Sequence, residues 1–355
     1  MIKPLTSLRF VFAFMVFLTH MSFLISSGGK TYEAFYYRFF YEGYIGVGFF
    51  FMLSGFILSY TYKESLLAEQ SGKLLFYIKR LARIYPLHLI TLLISIPVFL
   101  MEESMDTPIF TKQFFANVFL LQSFGPDRSY FFSGNALSWS ISNELFFYAL
   151  FPFLILAFHY YKWFTRVLLF VGCMLVIWLL PQINGGVEQH TFFYINPFTR
   201  LIDFALGILL FDIYKWLKGK NIASIATPLE IAAVLLMALF LYFHDEVSQA
   251  ARYAAYYWFP VAALILTFSF QAGKLSAFLS QKWMVVLGEI SFAFYMFHQL
   301  VIRYYKQLNA DFFHITDPWV SIGFVLALAL IISYAAYHLI EKPLNHYIVS
   351  LVKKK

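Results

Sequence analysis

Apolar residues dominate this chain in long runs, and short polar or charged clusters separate the runs. A helix that spans a bilayer needs about 20 mostly apolar residues. The run around 113–124 is shorter and ends at a Gly-Pro-Asp turn, so we expect an interfacial or re-entrant segment there. The remaining pattern predicts an all-α polytopic membrane protein with ten transmembrane helices, at roughly 5–26, 43–60, 80–101, 139–158, 167–181, 199–216, 225–243, 252–271, 284–305 and 319–340.

Composition agrees with this pattern, because 61% of the 355 residues are hydrophobic and only 13% are charged. A soluble domain carries about 25% charged residues. No polar stretch is longer than a loop, so we expect residues 1–355 to form one membrane domain without an appended soluble domain. The single cysteine, Cys173, excludes an intramolecular disulfide and a cysteine-rich metal site. No metal is expected.

The formal net charge of +7 comes from basic clusters beside the apolar runs. Topology explains such clusters better than nucleic acid, which is not expected as a partner. With the N-terminus inside, the inner loops hold more than twice as many of the 26 Lys and Arg residues as the outer loops. The positive-inside rule therefore places both termini in the cytoplasm.

The first apolar run contains Arg9 and His20, and ionisable groups inside a membrane are costly. Eleven helical residues make three turns plus about 20°, so both side chains project from one face, about 16 Å apart along the axis. This indicates a polar stripe towards an internal cavity. The alternative is an Arg that snorkels to headgroups and a His that is hydrogen-bonded within the bundle.

Arg80 and Arg83 lie one turn apart at the start of the third predicted span, where two guanidiniums can bind phosphates in bidentate fashion. The alternative is that these two arginines only set topology and bind anionic lipid.

Glu144 begins another apolar run and lies one turn after Ser140. Its carboxylate can orient a histidine, pair with an arginine or bind acceptor hydroxyls, or it is only an acid favoured by the helix dipole.

Later in the chain, Arg200 and Asp203 are spaced to form an ion pair, for which we expect a structural role. His298 lies deep in an apolar run, where a lone histidine is more often a packing residue than a ligand. No P-loop, GxSxG elbow, HExxH motif or dinucleotide fingerprint is present in the sequence.

Six segments, taken in chain order, match a known pattern: Arg9-x10-His20, Gly46 to Phe56, Arg80-x-x-Arg83, Trp139-Ser140-Ile141-Ser142 through Glu144 with Phe147-Tyr148, Arg200 to Gly207, and Gly288 to His298. Together they resemble the motifs of the membrane-bound acyltransferase family 3, which includes bacterial O-acetyltransferases that act on surface polysaccharides. The chain departs from the family at Phe10, where glycine is frequent. Leu145 and Phe146 replace a second acid and a glutamine, which leaves Glu144 as the acid of that motif.

The resemblance implies ten spans in a bacterial inner membrane, acyl-CoA as the donor (expected to be acetyl-CoA), and an extracytoplasmic saccharide or glycolipid acceptor. On the matched positions we expect His20 to be the base that activates the acceptor hydroxyl. Glu144 would orient His20 or the acceptor, and Arg9 would hold the donor or stabilise charge. Further contacts are expected to coenzyme A phosphates from Arg80 and Arg83, and to substrate from Trp139, Ser140 and His298.

The sequence leaves the route of the acyl group, the type of donor and the function itself open to alternatives. The donor is cytoplasmic and the acceptor external, so either the acyl end of the donor threads inward or His20 itself is acylated. A longer or dicarboxylic acyl donor is also compatible with the motifs. Intramembrane charges also mark transport paths, so a transporter or flippase of a glycan or lipid is the competing function.

Overall fold

A computed structural model of the chain describes residues 1–68, 72–102, 107–220 and 222–353. Helices connected by short turns make up these ranges, and they contain no β-strand. Lys354 and Lys355, which belong to the C-terminus that the topology prediction places inside, lie outside the described residues. The α-helices in chain order are α1 (Lys3–Thr19), α2 (Ile25–Phe35), α3 (Gly46–Leu67), α4 (Lys73–Glu102), α5 (Thr107–Val118), α6 (Arg128–Phe131), α7 (Trp139–Tyr160), α8 (Lys162–Leu179), α9 (Gly186–Gln189), α10 (Pro197–Leu217), α11 (Ala226–Tyr242), α12 (Gln249–Tyr253), α13 (Trp258–Ser269), α14 (Lys274–Leu279), α15 (Lys282–Leu308), α16 (Pro318–Ala336) and α17 (Lys342–Lys353).

Six helical runs within the described ranges are long and apolar enough to cross a membrane, or seven if a bent pair that includes α10 counts as one span. The all-α, multi-pass membrane character is thereby confirmed. The first of these runs, Lys3–Leu67, contains the first two predicted spans. The count of ten, the orientation with both termini inside and the single membrane domain over residues 1–355 stay predictions.

The shorter run predicted at 113–124 corresponds to α5 and the turn that follows it. The helix ends at Val118, and Leu120 adopts a positive φ of 55°. Its 12 residues would extend about 18 Å, less than the roughly 30 Å of hydrocarbon in a bilayer. A helix of this length does not cross alone, which is why it does not count among the spanning runs.

The described chain forms two compact units. The first unit comprises Met1–Arg9, Val47–Phe76 and Asn143–Gly288. Within it, α3 and α10 touch backbone to backbone: a Cβ built on Gly207 would lie 2.0 Å from the Met52 carbonyl oxygen, and one on Gly55 would lie 2.0 Å from that of Phe204. Small residues allow such close helix contact in membrane proteins, and this contact fixes α10 against α3.

The second unit comprises Phe10–Gly46, Tyr77–Ser142 and Glu289–Lys355. Glycines again permit a close approach, because the segment just before α3 lies against α1. A Cβ on Gly43 would lie 2.0 Å from the Met15 carbonyl oxygen, and one on Gly46 would lie 2.6 Å from that of Phe12. The Thr19 hydroxyl adds a hydrogen bond of 2.9 Å to the Phe40 carbonyl. The chain after α1 therefore folds back along the end of α1 that precedes His20.

Candidate active site

The backbone around His20 is held on both sides. The α-helix ends at Thr19, and the next five residues form a tighter 3₁₀ turn that starts at His20. The Tyr36 hydroxyl donates to the Thr19 carbonyl at 2.6 Å, and the Tyr32 hydroxyl donates to the Met21 carbonyl at 3.0 Å. Carbonyls at a helix end lack intrahelical partners. The two tyrosine hydroxyls supply these partners, and the hydrogen bonds fix the backbone from which the imidazole projects.

His20 and His298 form an imidazole pair in the second unit. Their ring centroids are 5.2 Å apart, and His20 Nδ1 lies 3.4 Å from His298 Nε2. Each Nδ1 also faces a carbonyl oxygen of its own helix: Val16 at 2.7 Å for His20, and Phe294 at 3.0 Å for His298. A carbonyl only accepts, so both neutral rings carry their proton on Nδ1. The Nε2 atom of His20 is then the nitrogen with a free electron pair.

Aromatic rings enclose the inner member of the pair. The Phe294 ring stacks on His298 at 5.6 Å between centroids, and Phe17 and Tyr295 meet it edge-on at 6.0 Å each. His298 is 0% exposed, whereas His20 is part-buried. Of the two imidazoles, His20 is the one that keeps some exposed surface.

Two more predicted substrate residues begin α7 in the second unit. The Ser140 hydroxyl donates to the Leu137 carbonyl at 2.9 Å and lies 2.9 Å from the Tyr295 hydroxyl. Because Tyr295 packs against His298, Ser140 is one contact removed from the imidazole pair. Trp139 is buried, with 3% of its surface exposed. The predicted substrate contacts of Trp139, Ser140 and His298 stay predictions.

Glu144 lies on α7 in the first unit, as does Arg9 on α1. The Tyr148 hydroxyl, one helical turn away, donates to the Glu144 carboxylate, and the Ser54 hydroxyl donates to the same oxygen at 3.5 Å. The carboxylate is therefore supported by neutral hydroxyl groups. The roles expected of Arg9 and Glu144 in catalysis stay predictions.

Arg80 and Arg83 lie on α4 in the second unit, and both are part-buried. Their spacing of three residues in a continuous α-helix places them on one face, as predicted. Pro86 lies inside this helix without ending it. That these guanidiniums bind coenzyme A phosphates stays a prediction.

The ion pair expected between Arg200 and Asp203 is confirmed in the first unit. A guanidinium nitrogen lies 2.7 Å from the carboxylate, and each side chain is 3% exposed. The Arg200 guanidinium also donates to the Tyr253 carbonyl at 2.6 Å, and the Trp258 indole donates to Asp203 at 2.5 Å. The guanidinium faces the Phe51 ring at 5.4 Å. These buried contacts join several elements of the unit, which supports a structural role.

Two polar residues of the second unit were missed at the level of sequence. Glu42 is only 4% exposed, and the Tyr44 hydroxyl lies 3.1 and 3.2 Å from its two oxygens. Glu42 lies one residue before the predicted span 43–60, so the rule on charges inside a membrane was not applied to it. Tyr295 lies three residues before His298, and only that spacing pointed to it. Among the described residues, no three His, Cys, Asp or Glu side chains converge as metal ligands.

Comparison with known proteins identifies the family. A family model described as an acyltransferase domain matches residues 3–338. The chain is 28% identical over 331 residues to acyltransferase MdmB of Streptomyces mycarofaciens, covering 85% of this chain and 80% of the relative. It is 26% identical over 322 residues to O-acetyltransferase OatA of Staphylococcus aureus strain NCTC 8325 / PS 47, covering 85% of this chain but 53% of OatA. The chain thus spans about half the length of OatA. No solved structure matches it.

The matched region includes all the segments on which the predicted resemblance rests, from Arg9 to His298. It also contains the imidazole pair and the helical runs that are long enough to cross a membrane, except for the end of the last run, which lies beyond residue 338. The chain therefore belongs to the membrane-bound acyltransferase family 3, and it is a multi-pass membrane acyltransferase.

Proposed function

We propose that this acyltransferase moves an acyl group, in the first instance acetyl, from acyl-CoA to a hydroxyl of a cell-surface saccharide or its lipid-linked precursor, in the bacterial inner membrane. The observation that carries the proposal is the state of His20. Its Nδ1 is bonded to the Val16 carbonyl, and its Nε2 keeps a free electron pair on a part-buried ring. A relative named as an O-acetyltransferase supports the choice of an oxygen acceptor.

The reaction needs a base, a bound thioester and stabilisation of a developing oxyanion. His20 Nε2 takes the proton of the acceptor hydroxyl as its oxygen attacks the thioester carbonyl. The tetrahedral intermediate collapses, the C–S bond breaks, and the coenzyme A thiolate leaves. The protonated imidazole then returns its proton to the thiolate, so that an ester and free coenzyme A are formed and His20 is neutral again.

Charged residues outside the imidazole pair have supporting roles in this proposal. Arg9 holds the donor or stabilises the oxyanion, and Glu144 orients the acceptor hydroxyl. Arg80 and Arg83 share one face of α4 and part of their surface is exposed, which suits contact with the coenzyme A phosphates. Guanidiniums bind phosphate in bidentate fashion, which a lysine does not.

A transporter or flippase was the competing function at the level of sequence. The family match over residues 3–338 and the relatives named as acyltransferases support the enzyme instead. Consumption of acetyl-CoA by the purified protein is the direct discriminator, since a transporter does not release free coenzyme A.

The test uses radiolabelled acetyl-CoA, the purified protein in liposomes, and membranes from a deletion strain as the source of acceptor. We expect His20→Gln to lower label transfer by about 10²–10⁴-fold, the usual contribution of a general base. His346→Gln is the matched control, because His346 is exposed on α17. Wild-type transfer by folded His20→Gln protein would rule out the role of His20. Mass spectrometry of the labelled product identifies the acyl group and the acceptor.

A further inference from the structure

His298 is a second imidazole at the candidate site, and the proposed mechanism gives it no step. We propose that His298 is a positioning residue whose Nε2 accepts a hydrogen bond from His20 Nδ1 and stabilises the His20 imidazolium formed during acyl transfer. The inference rests on the proposed function, in which His20 is the base. It replaces the substrate contact expected for His298 from the sequence.

The direction of the hydrogen bond follows from the backbone partners of the two rings. His298 Nδ1 is 3.0 Å from the Phe294 carbonyl, so it carries the proton and leaves Nε2 as an acceptor. His20 Nδ1 is 2.7 Å from the Val16 carbonyl, so it also carries its proton. The 3.4 Å contact between His20 Nδ1 and His298 Nε2 therefore joins a donor to an acceptor. The Nδ1 proton of His20 is shared between the Val16 carbonyl and His298.

Burial decides which imidazole acts through the other. His298 is 0% exposed and is surrounded by the rings of Phe17, Phe294 and Tyr295. A side chain with no exposed surface does not meet a saccharide hydroxyl. His20 is part-buried and presents the opposite nitrogen of its ring. His298 therefore supports the ring edge of His20 that faces away from the substrate.

The contact gains strength when His20 is charged. At 3.4 Å between its two nitrogens, the contact is longer than the 2.7–3.2 Å that is usual for an N–H···O hydrogen bond. Bonds from a charged donor are shorter and roughly twice as strong. An interaction that strengthens only once the proton has moved lowers the barrier rather than the free energy of the bound substrate. His298 itself keeps one proton throughout, because a second would set two N–H donors against each other.

The experiment compares two substitutions at position 298 in the liposome assay. His298→Phe keeps a ring and removes the acceptor, whereas His298→Gln places an amide oxygen near the position of Nε2. We expect His298→Phe to lower kcat by about 10–100-fold, as for loss of a hydrogen bond to a charged group, with KM for acetyl-CoA unchanged. His298→Gln should restore most of that loss. If His298→Phe does not fold, His298→Asn replaces it, since its shorter amide does not reach His20.

Each outcome bears on the inference, provided that the variants elute and melt like the wild type. Wild-type kcat in His298→Phe would overturn it. So would a raised KM with unchanged kcat, because that result would make His298 a substrate-binding residue. Equal loss in His298→Phe and His298→Gln would assign the effect to ring packing. His20→Gln is measured in parallel: if it is fully active, the proposed base and this inference both fall, whereas an inactive His20→Gln beside an active His298→Phe refutes the inference alone.

Discussion

The buried ion pair of α10 gives a stability prediction that does not depend on the reaction. Replacing Asp203 by Asn keeps the volume and an acceptor for the Trp258 indole, but it removes the negative charge beside Arg200. The guanidinium then remains buried without a counterion. Breaking one partner of a buried pair costs about 3–5 kcal/mol, so we expect Asp203→Asn to lower the free energy of unfolding by about that amount.

The contacts explain why this pair differs from others in the first unit. Both side chains of the Arg200–Asp203 pair are 3% exposed, so water does not replace a lost partner. The pair between Lys215 and Glu64 is a matched control, since its side chains are 61% and 69% exposed. Exposed pairs contribute about 0–1 kcal/mol. Glu64→Gln should therefore change stability by no more than that.

The assay is SDS-induced unfolding in mixed micelles, followed by the fluorescence of the seven tryptophans. A double variant, Arg200→Met with Asp203→Asn, also removes the guanidinium that Asp203→Asn leaves without a counterion. We expect it to be more stable than Asp203→Asn alone, because the cost of the single change comes mainly from the unpaired guanidinium. A cost for Asp203→Asn no larger than that for Glu64→Gln would contradict a stabilising role of the buried charge pair, as would a further loss of stability from the second substitution.

Two further predictions concern helix packing and the donor. Gly207→Ala should sharply reduce the yield of folded protein, because the new Cβ would lie 2.0 Å from the Met52 carbonyl oxygen. The control is Gly323→Ala in α16, where the new Cβ has open space and the protein should fold normally. Size-exclusion chromatography measures the yield of folded protein for both variants. Replacing Arg80 and Arg83 by Lys should raise KM for acetyl-CoA by about tenfold or more, because the bidentate contacts to phosphate are lost. The KM for S-acetyl-pantetheine, a donor that lacks the nucleotide phosphates, should not change. An equal rise in KM for both donors would contradict the role in phosphate binding.

The sequence predicted the class of fold well because lipid imposes a simple rule on composition. Runs of apolar residues at 139–158 and 284–305 became α7 and α15 with ends within a few residues. The number of spans was harder to predict. The segment between α1 and α3 passes through 3₁₀ and π turns and a kink at Gly29. Hydropathy measures how apolar a segment is, and it does not register whether the helix continues.

The sequence indicated which residues to consider for the candidate site, but not which side chains contact one another. The sequence singled out His20 and His298, because imidazole groups in apolar runs are conspicuous. Their contact was not predicted, since the two residues are 278 positions apart and no local periodicity relates them. The same holds for Tyr32 and Tyr36, whose hydroxyls bond carbonyls beside His20. Such contacts depend on how the chain folds back.

The segment Gly46 to Phe56, one of the family motifs, has a consequence for how family signatures are interpreted. Gly46 makes room for the Phe12 carbonyl, Gly48 for the guanidinium of Arg200, and Gly55 for the Phe204 carbonyl. A side chain at Gly46 or Gly55 would meet backbone, and one at Gly48 would displace the guanidinium. None of the three glycines supplies a reactive group. In this chain the motif therefore encodes close packing, and a substitution at Gly46 or Gly55 would be felt first in folding.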